Sequence, residues 1–246
     1  MSPSAPVSKR TTRTPSNPRG LRDLPFAVPE VTDAQKRRAR RLADALDKQY
    51  PDAHCELRYT SPHELLIATI LSAQTTDVGV NKATPGLFGA FPSPADYARS
   101  TPAKIEPHIK TLGFFRSKAK SVHSAMTAVV EIHGGQVPST MDELVALRGA
   151  ARKTANVVLG NAFGINDGFV VDTHVMRLAW RFALIEESER DDAKKIERRL
   201  VALFPRTRWC QLSHTLIWHG RRACPARGAK AHEHPICKKF GVNCPA

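Results

Sequence analysis

The chain has 246 residues, of which 41% are hydrophobic and 24% are charged, a composition typical of globular proteins. No apolar run reaches the roughly 18 residues that a membrane-spanning helix needs, and the first thirty residues lack the apolar stretch of a secretory signal. Lys and Arg number 37 against 23 Asp and Glu, which gives a formal net charge of +14. This excess favours a polyanionic partner, nucleic acid before membrane, because each phosphate contact releases counterions.

Residues 1–30 are rich in Ser, Thr, Pro and Arg and carry almost no large apolar side chain before Leu21. Such a segment buries too little surface to offset the entropy lost on ordering it, so we predict a disordered basic tail. An acid-poor, Arg-bearing segment is also typical of organellar transit peptides, but the prolines and the missing apolar face argue against a helical presequence. We expect the tail to add non-specific affinity for DNA.

Helical patterns begin at Thr32. Thr32 or Asp33 suits the N-cap of a first helix, and Ser61 followed by Pro62 opens a strongly apolar second one. Short helices of about 8 to 16 residues follow, separated by prolines and glycines. The one candidate strand, residues 168–172, is short and leads into another helix. We therefore predict an all-α protein.

Two short helices joined by a glycine-bearing turn are predicted between residues 138 and 161. Thr140 caps the first helix, Arg148 and Gly149 form the turn, and Arg152 begins the second helix. Such a corner presents backbone N–H groups and the positive end of a helix to a phosphate, although a plain helical corner has the same pattern. The segment is not a nucleotide-binding phosphate loop, because Arg152 stands where that loop needs a second glycine.

Lys153 and Asp172 are the candidate catalytic residues. Lys153 falls in the first turn of the second hairpin helix, where the helix dipole disfavours another positive charge. Burial in a cleft would also disfavour the charged form of the lysine. Both effects favour the free amine, which can attack carbon and form a Schiff base. Asp172 precedes a helix, which is also the position of an ordinary N-cap. Together they supply a nucleophilic amine and a carboxylate that can stabilise an oxocarbenium ion.

Five motifs in order along the chain carry a resemblance. They are Ile70-Leu-Ser-Ala-Gln-Thr-Thr-Asp77, Ile109-Lys-Thr-Leu-Gly-Phe-Phe-Arg-Ser-Lys-Ala119, Leu147-Arg-Gly-Ala-Ala-Arg-Lys-Thr-Ala-Asn-Val-Val-Leu159, Val171-Asp-Thr-His-Val-Met-Arg177 and Leu216-Ile-Trp-His-Gly-Arg-Arg-Ala-Cys224. Over residues 32–244 the chain resembles endonuclease III, the helix-hairpin-helix DNA glycosylase/AP lyase family. The resemblance implies two helical domains with a DNA-binding cleft between them. Residues 58–165 would form a helical barrel that carries the hairpin, and residues 31–57 plus 166–246 a domain with a metal-cluster loop.

The resemblance also implies a base-excision repair enzyme that removes oxidised pyrimidines from double-stranded DNA and cleaves the resulting abasic site. Lys153 would attack C1′, expel the base and form a Schiff base that leads to β-elimination, with Asp172 assisting. Gln74 would fill the space left by the extruded base, and Phe114 would stack into the opened duplex unless it is a core residue. The other residues implied to contact DNA are Arg148, Gly149, Ala151, Arg152, Thr154 and His174.

Two alternative functions stay open. Adenine-mismatch glycosylases of this kind are monofunctional, lack a lysine here and carry a catalytic Glu near the segment 71–74, so Lys153 disfavours a monofunctional glycosylase. A non-catalytic DNA protein that binds lesions would account for the altered hairpin, but it would have no chemical need of Lys153 and Asp172. We expect a monomer without a membrane partner, in a cytoplasmic, nucleoid-associated location of bacterial type.

The hairpin departs from the family pattern. The family turn is Leu-Pro-Gly-Val-Gly, and here Arg148 and Ala151 replace the proline and the second glycine. If position 151 needs a positive φ, alanine costs about 1 kcal/mol in strain. We therefore expect weaker DNA binding or altered activity, with Arg148 compensating in part as a phosphate ligand.

The metal-cluster loop departs from the family pattern more than the hairpin does. The family spaces four cysteines as C-x6-C-x2-C-x5-C, whereas this chain offers Cys224, Cys237 and Cys244, with His234 at the position of the missing cysteine. His232 is the alternative to His234 as the fourth ligand. Cys210 is too far from the other cysteines to be that ligand, because a predicted helix separates it from them. The expected cofactor is a 4Fe–4S cluster held by the three cysteines and His234. Zinc, which suits the same donors, and a site without metal are the alternatives.

Overall fold

The computed structural model describes residues 24–228 and 233–245, and within these ranges the chain is helical and contains no β-strand. The helices are α1 (Asp33–Gln49), α2 (Pro62–Leu71), α3 (Asp77–Ala90), α4 (Pro94–Ala98), α5 (Pro102–Ile109), α6 (Phe115–Glu131), α7 (Met141–Ala146), α8 (Arg152–Ala162), α9 (Thr173–Arg181), α10 (Ala193–Leu203), α11 (Trp209–Arg222) and α12 (Pro235–Phe240). The predicted all-α class is confirmed. The candidate strand at 168–172 is wrong, since these residues form no strand in the structure. No described helix is long and apolar enough to cross a membrane.

The predicted helix starts are confirmed by their caps. The Thr32 hydroxyl accepts a hydrogen bond from the Gln35 backbone N–H at 3.2 Å, and the Gln35 side chain accepts one from the Thr32 backbone at 2.8 Å. The Ser61 hydroxyl caps α2, whose first residue is Pro62. Thr140 caps α7 in the same way. Each cap satisfies N–H groups that a helix start leaves without partners, so the sequence signal and the structure agree.

A first core, made of buried side chains between Leu57 and Val170, lies among helices α2 to α8. Helix α2 runs through it and is buried from Leu65 to Leu71, which explains why this helix is apolar on all sides. It packs against α3, α6 and α8. The hairpin helix α8 is therefore held from behind by the most apolar helix of the chain.

A second core joins the beginning and the end of the described chain. It contains side chains of α1, α9, α10, α11 and α12, with Trp209 fully buried among them. Leu24 is buried in this core, and Phe26 and Val28 pack against it. The tail predicted to extend to residue 30 is thus packed from residue 24 onward. Its residues 1–23 lie outside the described part of the chain.

Candidate active site and metal centre

The hairpin places a tight turn between α7 and α8. Gly149 has φ +87°, and a Cβ there would lie 3.0 Å from Cβ of Ser121 and 3.2 Å from Cγ2 of Ile70. Position 149 therefore needs glycine both for its backbone conformation and for space. Ala151 is the N-cap of α8 with φ −78° and ψ 170°, an extended conformation that any residue adopts. The strain expected at position 151 is absent, because Gly149 alone takes the positive φ.

The residues predicted to contact DNA from the hairpin divide into two groups. Arg148, Gly149 and Ala151 are exposed at its tip. Thr154 is buried, at 8% exposure, so its side chain has almost no surface to offer a ligand. Arg152 is partly buried and makes a contact within the protein, and its predicted contact with DNA stays a prediction.

Arg152 joins the hairpin to the second core. Its Nε donates to both carboxylate oxygens of Glu197, at 2.9 and 3.1 Å, and its guanidinium lies over the ring of Phe26 at 5.0 Å. Asn156 donates to the same Glu197 carboxylate at 3.1 Å. The side chain of Glu197 is 8% exposed, so this is a largely buried ion pair between α8 and α10. It fixes the hairpin relative to the other half of the molecule.

Lys153 and Asp172 come from the two halves and line one cleft. The residues that define this cleft are Gln74, Asp77, Lys153, Asp172, His174 and Arg221. Lys153 is exposed in the first turn of α8. Asp172 is the N-cap of α9, and its Oδ1 accepts from the backbone N–H groups of His174 at 2.9 Å and Val175 at 2.8 Å. The capping role of Asp172 is compatible with its predicted chemical role. The two hydrogen bonds use only one carboxylate oxygen, and they hold the carboxylate at the cleft.

His174 presents its ring to the same cleft. Its Nδ1 lies 2.9 Å from Nη2 of Arg177, a permanent donor, so Nδ1 is the acceptor and Nε2 carries the proton. Burial lowers the pKa of His174, so the ring is neutral at physiological pH. Arg177 also donates to the Gly220 carbonyl at 2.8 Å. His174 is thus held as a neutral donor on the cleft wall.

Gln74 and Phe114 have the left-handed backbone conformation, with φ of 53° and 58°. This conformation is unfavourable for residues with a side chain. Gln74 lies in the turn between α2 and α3, and Phe114 is the N-cap of α6. Gln74 is exposed and lines the cleft. Phe114 is 71% exposed, which excludes the core alternative for this residue. An aromatic ring held in solvent by a strained backbone is suited to stacking on a partner.

An inner pocket opens beside Lys153 and Asp172, which belong to its lining as well as to that of the cleft. Its other principal lining residues are His54, Glu56, Val157, Val170, Ile217 and Trp218. The rings of His54 and Trp218 meet edge to face at 5.2 Å, and the Arg222 guanidinium lies 3.5 Å from the Trp218 ring centroid. The pocket therefore combines apolar walls with an aromatic corner.

An ion-pair network closes one side of this pocket. Arg221 on α11 donates to Oδ2 of Asp77 on α3 at 2.8 Å and to the Glu56 carboxylate, which also accepts from Arg222 at 2.8 Å. The network ties the two halves together at the cleft and neutralises both acids. Glu56 and His54 were not predicted from the sequence, because the segment 51–60 has no periodic pattern. Trp218 lies in the motif 216–224, but nothing in that motif indicated a role in the pocket.

The cysteines predicted to bind metal converge in the structure. The sulfurs of Cys224, Cys237 and Cys244 lie within 4.8 Å of one another. Arg181, itself buried, donates from Nη1 to the Cys224 sulfur at 2.9 Å. A hydrogen bond from Cys237, and then this arginine, lower the pKa of Cys224 below its usual value. Cys210 lies elsewhere, with its sulfur 3.6 Å from Nε2 of His214.

Two histidines stand beside the sulfurs. His234 and His219 form a second group with Cys237, in which the possible ligand atoms also lie within 4.8 Å of one another. His219 is fully buried on α11, with Nε2 3.2 Å from the Cys237 sulfur and Nδ1 3.0 Å from the Tyr50 hydroxyl. The sequence pattern did not single out His219, which is near the sulfurs only through the packing of α11. His232 lies outside the described residues.

Comparison with known proteins accounts for this arrangement. The model of the HhH-GPD superfamily of base excision DNA repair proteins matches residues 67–206. Endonuclease III of Synechocystis sp. is 47% identical over 204 residues, which cover 83% of this chain and 89% of that protein. Endonuclease III of Bacillus subtilis is 38% identical over 193 residues, covering 78% of this chain and 87% of that protein. The chain belongs to the endonuclease III family.

Solved structures of this family superpose on the chain. A trapped covalent intermediate of an endonuclease III with DNA matches with a TM-score of 0.79 at 36% identity, over 86% of this chain and 96% of that one. A thermostable thymine-DNA glycosylase has the same fold, with a TM-score of 0.73 at 20% identity over 85% and 98% of the two chains. The predicted family and enzyme class, a base-excision DNA glycosylase, are confirmed.

The donors of the C-terminal loop are chemically compatible with the iron–sulfur cluster that the family resemblance implies. Thiolates hold such clusters, and a histidine can replace a cysteine among their ligands. The same set of three sulfurs and one nitrogen is also a common ligand set of structural zinc.

Proposed function

We propose that this protein is a bifunctional glycosylase/AP lyase that removes oxidised pyrimidines from double-stranded DNA and cleaves the abasic site through a Schiff base on Lys153. The observation that carries the proposal is the meeting of Lys153 and Asp172, contributed by different halves of the chain, at the boundary between the cleft and the inner pocket. An amine and a carboxylate at the entrance of a recess are the groups that this reaction needs.

The first step is base excision. The free amine of Lys153 attacks C1′ of the damaged nucleotide, the bond from C1′ to the base breaks, and the base leaves with the bonding pair and takes up a proton. The Asp172 carboxylate stabilises the positive charge that develops on the sugar as the base departs. Its orientation is fixed in advance, since Oδ1 is held by two backbone N–H groups.

The second step is strand cleavage. Opening of the sugar ring gives an iminium ion between Nζ of Lys153 and C1′. Loss of a proton from C2′ then expels the phosphate on C3′, which cuts the strand by β-elimination. Hydrolysis of the remaining imine frees Lys153. His174 or Asp172 lies on the cleft wall where a proton can be moved during these events.

The inner pocket is the proposed site of the extruded base. It adjoins Lys153 and Asp172, and its aromatic corner of His54 and Trp218 suits the face of a pyrimidine. Gln74 lies in the cleft, where it can fill the gap left in the duplex, and the exposed Phe114 ring can stack against the neighbouring bases. Base and sugar would then be bound on opposite sides of the reacting bond.

The hairpin is the proposed phosphate contact. Arg148, Gly149 and Ala151 form its exposed tip, and the first N–H groups of α8 point toward the same side. The formal charge of +14 supports binding to a polyanion along the rest of the surface. The covalent DNA intermediate of a relative at 36% identity further supports a covalent mechanism for this chain.

Borohydride trapping on a duplex with one thymine glycol tests the proposal. The wild-type protein is expected to form a covalent adduct and to cut the strand, whereas Lys153→Ala forms none. Lys104→Ala, which removes another exposed lysine of the first half, is the matched control and should trap normally.

The same assay separates the alternatives. Release of the base without strand cleavage or adduct would identify a monofunctional glycosylase. Binding to the lesion without base release, on both thymine glycol and a preformed abasic site, would refute the proposal and identify a lesion-binding protein without catalysis.

A further inference from the structure

Gln74 and Phe114 lie on two different turns, and both keep a backbone conformation that is unfavourable for residues with a side chain. Gln74 is the third residue of a turn between α2 and α3, which the Thr75 N–H closes by donating to the Ser72 carbonyl at 3.0 Å. Phe114 lies directly before α6. Strained positions of this kind persist only where the surrounding structure holds them, so each turn needs contacts that fix it.

Lys118 on α6 makes such contacts to both turns. Its backbone N–H donates to the Phe114 carbonyl at 3.0 Å, and its Nζ donates to the Thr75 hydroxyl at 2.5 Å. The Thr75 hydroxyl in turn donates to the Ala73 carbonyl at 3.4 Å. These hydrogen bonds hold the residues on both sides of Gln74 and tie its turn to the start of α6.

A lysine at position 118 is unfavourable for stability. Lys118 is 6% exposed, and its ammonium group has no carboxylate partner among the residues that the structure describes. Burial lowers the pKa of this lysine, because the charged form loses hydration. An uncharged side chain of similar length, such as methionine, would fill the same space without this cost. The packing of α6 therefore does not explain the lysine, whereas its hydrogen bond to the turn of Gln74 does.

We propose that Lys118 is a positioning residue for extrusion of the damaged nucleotide. It holds the turn of Gln74 against the start of α6, so that Gln74 and Phe114 enter the duplex as one rigid unit. Contacts with DNA then do not have to order the two turns during binding. This inference rests on the proposed function, which places Gln74 in the gap and Phe114 against the neighbouring bases.

The fluorescence of a labelled duplex tests the inference without catalysis. The duplex carries 2-aminopurine opposite a tetrahydrofuran abasic analogue, and the emission of 2-aminopurine rises when it leaves the base stack. We expect the equilibrium constant for this step, measured at saturating protein, to fall about tenfold in Lys118→Met, because one hydrogen bond from a charged group is lost. In urea unfolding, Lys118→Met should be at least as stable as the wild type, because the substitution removes a buried charge.

Lys120→Met is the matched control, since it removes an exposed charge from the same helix. This variant should keep the full rise in emission. An unchanged rise in Lys118→Met, or an equal loss in Lys120→Met, would overturn the inference.

Thr75→Val removes the acceptor of the same hydrogen bond. The double variant Lys118→Met/Thr75→Val should therefore lose no more emission than either single variant, and losses that multiply would contradict the shared role. Thr75→Val leaves the ammonium buried without its partner, so we expect it to be less stable than the wild type. The double variant should regain this stability, since the buried charge is gone.

These outcomes are distinguishable from a failure of the proposed function. The tetrahydrofuran has no base to expel from C1′, so the emission does not depend on the chemistry of Lys153. A wild-type protein that forms no borohydride adduct would refute the lyase mechanism. A normal adduct together with unchanged emission in Lys118→Met would refute only the positioning role. No rise in emission with the wild type would refute the role of Gln74 in the gap and this inference with it.

Discussion

The hairpin turn offers a quantitative test, because substitution of Gly149 is predicted to destabilise the protein and substitution of the nearby Ala151 is predicted to have little effect. In Gly149→Ala, the new side chain must adopt φ +87°, and its Cβ meets Ser121 at 3.0 Å and Ile70 at 3.2 Å. The left-handed conformation costs alanine about 1–2 kcal/mol, and the crowding adds about 1 kcal/mol. We therefore expect a loss of about 2–3 kcal/mol in the free energy of unfolding, which lowers the Tm by roughly 5–10 °C for a chain of this size.

Ala151→Gly is the matched control. Ala151 already has a negative φ and is exposed, so glycine there relieves no strain and changes the stability by about 1 kcal/mol at most. Urea unfolding followed by circular dichroism measures both variants, and binding to an abasic duplex reports on the hairpin. A Gly149→Ala variant as stable as the wild type, or an Ala151→Gly variant stabilised by 2 kcal/mol or more, would refute this account of the turn.

Three further predictions follow from the contacts. Glu197→Gln should lower the free energy of unfolding by about 2 kcal/mol in urea, since it leaves Arg152 without its carboxylate partner. His54→Ala should slow release of thymine glycol about tenfold in a single-turnover assay, and it should leave cleavage of a preformed abasic site unchanged because no base is then bound. Burial lowers the pKa of His214 to about 4, below the usual value of about 6.5, so the native state binds fewer protons than the unfolded state between these values, and stability should fall as the pH drops from 6.5 to 4.

Each of these three predictions is paired with a control variant or with an outcome that would contradict it. Glu187→Gln removes an exposed ion pair with Arg190 and should have no measurable effect on stability. Equal losses of base release and abasic-site cleavage in His54→Ala would show that the inner pocket does not hold the base. His214→Gln should flatten the decline in stability at acid pH, and an unchanged pH profile in this variant would contradict the contribution of His214.

The helices and their starts were predictable because the signals are local. Thr32, Ser61 and Thr140 cap helices through hydrogen bonds to residues three positions away, so the pattern and the contact lie in the same few residues. The candidate strand at 168–172 was misassigned for a related reason. A buried extended segment and a buried strand have the same apolar pattern, and only a partner strand distinguishes them.

The roles of individual polar residues depended on tertiary contacts that no local pattern encodes. Arg152 lies beside Lys153 in a basic hairpin, which favours a phosphate contact, yet Glu197, 45 residues away, takes its guanidinium. The pocket residues His54 and Trp218 come from a connecting segment and from α11, and they meet only in the fold. His219 is likewise adjacent to the cysteines in space and not in a metal-binding motif.

The backbone conformation at positions 149 and 151 could not be predicted from the sequence for a different reason. A Gly-x-Ala turn in place of Gly-x-Gly suggests strain only if the last position needs a positive φ, and the sequence does not specify which of the two positions does. The structure assigns it to Gly149 alone. The departure from the family pattern at Ala151 therefore carries no backbone penalty.

The central claim is that Lys153 is the residue bonded to the sugar during catalysis. Peptide mapping of the borohydride-reduced adduct by mass spectrometry measures this directly. We expect the nucleotide remnant on the peptide that contains Lys153, assigned to the lysine side chain by fragmentation. A remnant on another lysine or on the N-terminal amine, with Lys153 unmodified, would contradict it.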